Sequence, residues 1–237
     1  MAAGLRIARE SYDIASLDRR EVLRYLGYRD QQLSDELGER IDAVVGRCLL
    51  LARPRASIAD YPVASVDAGE VRLDGCTLRL TGADIVGHLH DATRVALFAV
   101  TLGADIDREL RRLSLTDALE QVIFDAAATA LVERAADAAN ARIRAYAADL
   151  GMFTSWRFSP GYGDLPLSVQ TDFLAALDAT RQLGITLTPS DLMVPTKSVT
   201  AVVGIHPDPQ PGLEGSCSIC SLAEFCTLRT TGRTCRG

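Results

Sequence analysis

One stretch of the sequence leaves little choice of structure. From Asp117 to Gly151 it reads "DALEQVIFDAAATALVERAADAANARIRAYAADLG". Asp117 and Glu120 have the spacing of a capping box, and Gly151 supplies the stop. Between them run about ten turns of helix. Val122, Ile123, Leu131, Ile143 and Leu150 are the bulky members of its apolar stripe. Alanine fills most other positions, which implies that the helix lies close against a sheet.

The rest of the chain supplies that sheet. "VRLDGCTLRL" alternates Val71, Leu73 and Leu78, Leu80 about an Asp-Gly turn, a hairpin pattern. "ATRVALFAVTLG" is a β-rich run with apolar residues on both faces, stopped by Gly103. "SVTAVVGIHP" is a further strand, closed by Pro207. Three more helical patterns border these strands. "SLDRREVLRYLGY" carries Leu17, Val22, Leu23 and Leu26. "SDELGERIDAVVGRCLLLA" carries Leu37, Ile41, Val44, Val45 and Leu49 and ends before Pro54. Pro166 to Leu183 repeats the period through Val169, Phe173, Leu174 and Leu177, up to Gly184. Without regular βαβα alternation, the fold class is α+β: a largely antiparallel sheet bordered by helices. No glycine fingerprint of the dinucleotide or Walker type is present.

With 237 residues, 48% hydrophobic, the chain can bury a substantial core. Its net charge of −6 and lack of a basic tract argue against a nucleic-acid partner. The most apolar stretch, Arg94 to Ala104, is too short for a bilayer, and the N-terminus lacks the apolar region of a secretory signal. A cytoplasmic protein with no membrane partner is expected.

Cysteine is unevenly used. Cys48 and Cys76 stand alone, whereas Cys217, Cys220, Cys226 and Cys235 crowd the end as C-x2-C-x5-C-x8-C. Four thiolates at such spacing can close around zinc or an iron-sulfur cluster, and spacing does not separate the two. The composition of "PDPQPGLEGS" makes residues 208–216 a linker and 217–237 a metal-binding tail. His88 and His90 could form a metal pair on a strand, but "GHLHD" reads better as a surface loop. His206 is read as closing its strand, with no nucleophile or second base near it in sequence.

After the long helix comes "RFSPGYGDLP", which places Arg157, Ser159, Pro160, Gly161 and Tyr162 at fixed offsets before the next helix. Taken alone, this is a structural connector, with Arg157 in a surface ion pair and Glu133 a solvated helix residue. Downstream stand Leu187-Thr188 and, at the end of the last strand, His206-Pro207. This order resembles the S-adenosylmethionine-binding activation domain of cobalamin-dependent methionine synthase. The resemblance covers about Asp117 to Pro207 well and residues 1–110 more weakly, and makes 1–207 one domain. The N-terminal part, with "RYLGYR" and "VTLG", is similar to small free-standing proteins of the family.

The resemblance implies S-adenosylmethionine as ligand, with Glu133, Arg157, Ser159, Gly161 and Tyr162 at the site. Arg157 would grip the ligand carboxylate, Glu133 would face its positive groups, and Tyr162 would lie against it. Backbone groups from Ser159 to Gly161 would read the adenine edge. The implied function is that of an accessory activation subunit for a methionine synthase lacking its own activation domain. It would support reductive methylation of the partner's cob(II)alamin, with electrons from a donor such as flavodoxin. The alternative is a metal-tailed electron carrier or adaptor that docks on a corrinoid protein without S-adenosylmethionine. It draws on Val203, which stands where the family's last strand carries a ligand-facing tyrosine.

Overall fold

A computed structural model of the protein describes residues 4–28 and 31–209. Cys217, Cys220, Cys226 and Cys235, and residues 210–216 of the expected linker, lie outside the described residues. The elements run β1 (Arg6–Ser11), α1 (Arg19–Tyr25), α2 (Asp35–Leu51), β2 (Arg55–Asp67), β3 (Glu70–Leu73), β4 (Arg79–Thr81), α3 (Ala83–His88), β5 (Arg94–Thr101), α4 (Ala104–Thr116), α5 (Ala118–Asp149), β6 (Phe153–Thr154), α6 (Gln170–Ala176), α7 (Ala179–Leu183), β7 (Thr186–Leu187), β8 (Met193–Val194) and β9 (Ser198–His206).

Seven strands form one sheet in the order β4-β3-β2-β5-β9-β6, with β1 joined to β2. Its pairings are antiparallel. β2 is long enough to serve two neighbourhoods: Arg55 to Pro62 pair with β5, and Val63 to Asp67 pair with β3, with an irregularity between Val63 and Ser65. β5 lies between β2 and β9 and is buried on both faces, as its sequence suggests. Ala96, Phe98 and Val100 enter a core with α2, α4 and α5, while Val95, Leu97 and Ala99 enter a second core with α6 and α7. No helix among the described residues is long and apolar enough to cross a membrane.

Helix α5 lies across the first core as its alanines imply. Ile123, Ala127, Leu131, Ala135, Ala139, Ile143 and Ala147 recur every fourth residue, and all are buried. Small side chains at these positions let the helix axis approach the sheet closely. Val122, expected in this stripe, is instead 57% exposed near the start of the helix. Asp117 caps the helix by accepting from the Glu120 backbone N–H at 3.0 Å. The reciprocal half of a capping box is not made, since the Glu120 carboxylate pairs with Arg47 at 2.5 Å.

The expected helix from Pro166 to Leu183 is broken. Asp178 adopts a left-handed conformation (φ 53°) between α6 and α7. Both pieces face the same core through Phe173, Leu174, Leu177 and Leu183, so the apolar period continues across the break. The strand expected to end at His206 does so, with His206 buried. His88 is corrected: it ends α3 and is buried, with Nε2 2.9 Å from Ser155 Oγ, whereas His90 is exposed beside Asp91.

Candidate functional site

The chain reverses at the end of α5. Gly151 takes a positive φ of 68°, and the Met152 N–H donates to the Ala147 carbonyl at 2.8 Å, closing the helix. The backbone then runs back along the sheet edge. Phe153 and Thr154 pair with His206 and Ile205, the Ser155 N–H donates to the Gly204 carbonyl, and Phe158 exchanges hydrogen bonds with Val202. A strand rises about 3.3 Å per residue and a helix about 1.5 Å, so a few extended residues retrace several helical turns. Arg157 is thereby returned to the middle of the helix the chain has just left.

There it meets two carboxylates. Arg157 Nη2 lies 3.1 Å from Glu133 Oε2 and 3.2 Å from Asp137 Oδ1. Glu133 and Asp137 are one turn apart and share a helix face. The guanidinium is the most enclosed of the three at 19% side-chain exposure, against 42% for Glu133 and 55% for Asp137. Arg157 Nη1 is buried without a hydrogen-bond partner, and Asn140 Oδ1, farther along α5, is likewise unpartnered. A buried donor left unmatched costs free energy that an incoming anion would recover.

These groups line an open cleft of about 1460 Å³. One wall is α5, a second is the Thr154–Arg157 segment, and a third is the chain from Ser11 to Asp18 with Glu21, Arg24 and Tyr25 of α1. Asp18 caps α1 by accepting from the Arg20 N–H at 2.8 Å, which holds this wall in place. Burial pushes the phenols of Tyr12 and Tyr25 up from their ordinary range. The guanidinium of Arg24 stacks 4.2 Å above the Tyr25 ring.

The turn after Arg157 divides its side chains between two layers. Arg157 points to α5, whereas Tyr162 packs edge-on against Trp156 and Phe158, with ring centroids 5.9 and 5.3 Å away. Phe158 belongs to the core beneath α6 and α7. The Tyr162 N–H donates to the Ser159 carbonyl at 3.0 Å and the Gly161 N–H to that of Leu165 at 2.8 Å. Gly161 has φ 87°, and a Cβ there would lie 3.0 Å from Leu167 Cδ2. The structure thus joins Arg157 and Glu133 in one cleft and places Ser159, Gly161 and Tyr162 in the adjoining turn, not among the residues that line it. Asp137 and the N-terminal wall escaped the sequence reading. The spacing of Asp137 four residues after Glu133 was an available signal; nothing local announces the Ser11–Asp18 wall.

Val203 is fully enclosed in the core shared with α5. Among the described residues, no cluster of three or more His, Cys, Asp or Glu side chains could hold a metal ion.

Residues 77–211, more than half of the chain, match the family described as vitamin B12 dependent methionine synthase, activation domain. The chain belongs to that family. The matched span runs from the β3–β4 hairpin through α5 and Arg157 past the end of β9, so it contains two of the cleft's three walls. The fold is similar to that in the crystal structure of the MetH reactivation domain bound to AdoHcy, with a TM-score of 0.67. That likeness covers 95% of this chain and 86% of the other at 16% identity, and it speaks to the fold. No curated protein sequence gives a significant match. An activation-domain fold agrees with the antiparallel α+β class read from the sequence.

Proposed function

We propose that this activation-domain protein binds S-adenosylmethionine in the cleft between α5 and the Thr154–Arg157 segment, as a cytoplasmic activation subunit for a cobalamin-dependent methionine synthase that lacks its own. The observation that carries the reading is Arg157: a half-satisfied guanidinium flanked by two carboxylates in an open cleft. S-adenosylmethionine presents one carboxylate and two positive groups, and so matches that arrangement in sign. The ligand carboxylate goes to Arg157 Nη1, and Glu133 faces the ammonium. The hydrogen bonds within the turn engage the Gly161 and Tyr162 N–H groups and the Ser159 carbonyl, which leaves the Pro160 and Gly161 carbonyls to accept from the adenine amino group.

The role of the protein is to hold the methyl donor while the partner presents cobalt. One electron from a donor such as flavodoxin reduces cob(II)alamin. The C–S bond then breaks with its electron pair left on sulfur, while the cobalt electron pair forms the bond to methyl. Positioning is the protein's contribution. Cys217, Cys220, Cys226 and Cys235 hold zinc or an iron-sulfur cluster in this reading; anaerobic metal analysis finding neither metal would remove the tail from it. Val203, enclosed in the α5 core where the resemblance leads one to expect a ligand-facing tyrosine, favours a second reading, an adaptor without S-adenosylmethionine. Calorimetric titration with S-adenosylmethionine decides between them: heat of binding supports the first, and none supports the second.

A further inference from the structure

This inference deepens the proposed function and rests on S-adenosylmethionine binding in the cleft. Arg157 makes a hydrogen bond to Glu133, and its contact with Asp137 is a second ion pair on the same nitrogen. One guanidinium therefore stands against two carboxylates, and the trio has a formal charge of −1. The cleft as a whole repeats the imbalance, with five carboxylates and four guanidiniums among its lining residues. Glu21 is already matched by Arg24 at 2.7 Å, and Asp18 is engaged as the α1 cap. Asp13 lies on the N-terminal wall; within the trio Glu133 takes the hydrogen bond from Arg157, so Asp137 is the carboxylate in excess there and the most exposed of the three.

An amino acid's carboxylate and ammonium cancel. A sulfonium adds one positive charge to that balance, and a thioether adds none. Methyl transfer therefore changes the ligand from net positive to neutral while altering its shape by one methyl group. Shape alone discriminates weakly at that scale, whereas an uncompensated carboxylate nearby responds to the charge. We propose that Asp137 makes the cleft select the sulfonium form of its ligand over the thioether form, so that the methyl donor is held and the demethylated product is released. At its exposure the pair is screened by solvent, and the discrimination expected is about fivefold in affinity.

The test is calorimetric titration of the full chain with S-adenosylmethionine, S-adenosylhomocysteine and sinefungin, which bears a protonated amine where the donor has its sulfonium. In the wild type the two charged ligands bind about fivefold more tightly than the thioether. In Asp137→Asn the ratio falls to about one. Asp105→Asn removes an equal charge from α4, where Asp105 pairs with Arg108 outside the cleft, and keeps the ratio. A ratio that survives Asp137→Asn, or equal binding in the wild type, overturns the inference. Absence of binding by all three ligands overturns the S-adenosylmethionine reading itself and takes the inference with it.

Discussion

Arg157 Nη2 and Glu133 Oε2 are 3.1 Å apart, although 24 residues of chain separate them. The distance is set by backbone events on either side: a glycine-terminated helix, a reversal, and a strand that pairs with β9 in a fixed register. The contact therefore reports the geometry of the whole α5–β6 unit.

Arg157→Ala should weaken S-adenosylmethionine binding by about 2 kcal/mol or more, because the ligand carboxylate loses a charged donor in a partly enclosed site. Glu133→Gln should cost less, since it keeps the shape and one acceptor. Calorimetry on the two variants checks the order. A larger loss at Glu133 than at Arg157 would make Glu133 the anchor.

The second expectation concerns the helix itself. Ala135 of α5 is fully buried in the core that the helix shares with the sheet and its neighbouring helices. Ala135→Leu forces several extra carbon atoms into a close-packed contact and should destabilise the fold by about 1–3 kcal/mol. Urea unfolding measures it. Unchanged stability would mean that the helix can lift from the sheet at little cost.

That contact also shows what the sequence could and could not disclose. α5 was legible because its alanines, its cap and its terminal glycine all agree on one structure. β5 and β9 were legible because they are apolar on both faces. β2 is not legible in the sequence: Ala56 to Asp60 mixes Ser57 and Asp60 into a buried strand, and their polar groups are satisfied by partners distant in sequence, such as the Leu177 carbonyl and Arg94. At the site, Arg157 and Glu133 could be named from the turn and the helix. The four-residue spacing of Asp137 from Glu133 signals a shared helix face, but the meeting of both with Arg157, and the third wall from Ser11 to Asp18, depend on tertiary packing.

A pH dependence follows from His206. Its side chain is 1% exposed, both ring nitrogens lack hydrogen-bond partners, and burial lowers its pKa from the ordinary 6.5. The folded state thus binds this proton more weakly than the unfolded state. The contribution of neutral His206 is complete above about pH 6.5 and is lost progressively as pH falls below that value. The urea midpoint of the wild type should fall more steeply on acidification than that of His206→Gln. Parallel profiles for the two proteins would show that the imidazole does not govern acid sensitivity.

The last expectation concerns the partner. In the proposed role, methyl transfer to cobalt would be a direct displacement, so the reacting atoms would have to come within about 3 Å, and the cleft would have to open onto a surface that the cobalamin domain can reach. The cleft is open, and Gly161, Gly163 and Asp164 of the turn that follows Arg157 are exposed, as such a role would need. A contact that has to break after each rescue should be modest in area, and it should tighten when the partner carries cob(II)alamin. Mixing the protein with cob(II)alamin-loaded methionine synthase from the same source, a reductant and S-adenosylmethionine should stimulate methylcobalamin formation, followed by its absorbance. Arg157→Ala should abolish the stimulation if the donor is held as described. Stimulation that persists in that variant would place the methyl donor elsewhere. Binding of S-adenosylmethionine without stimulation in the wild type would instead point to a different corrinoid partner, because the cleft would then hold its ligand while the surface beside it failed to meet this one.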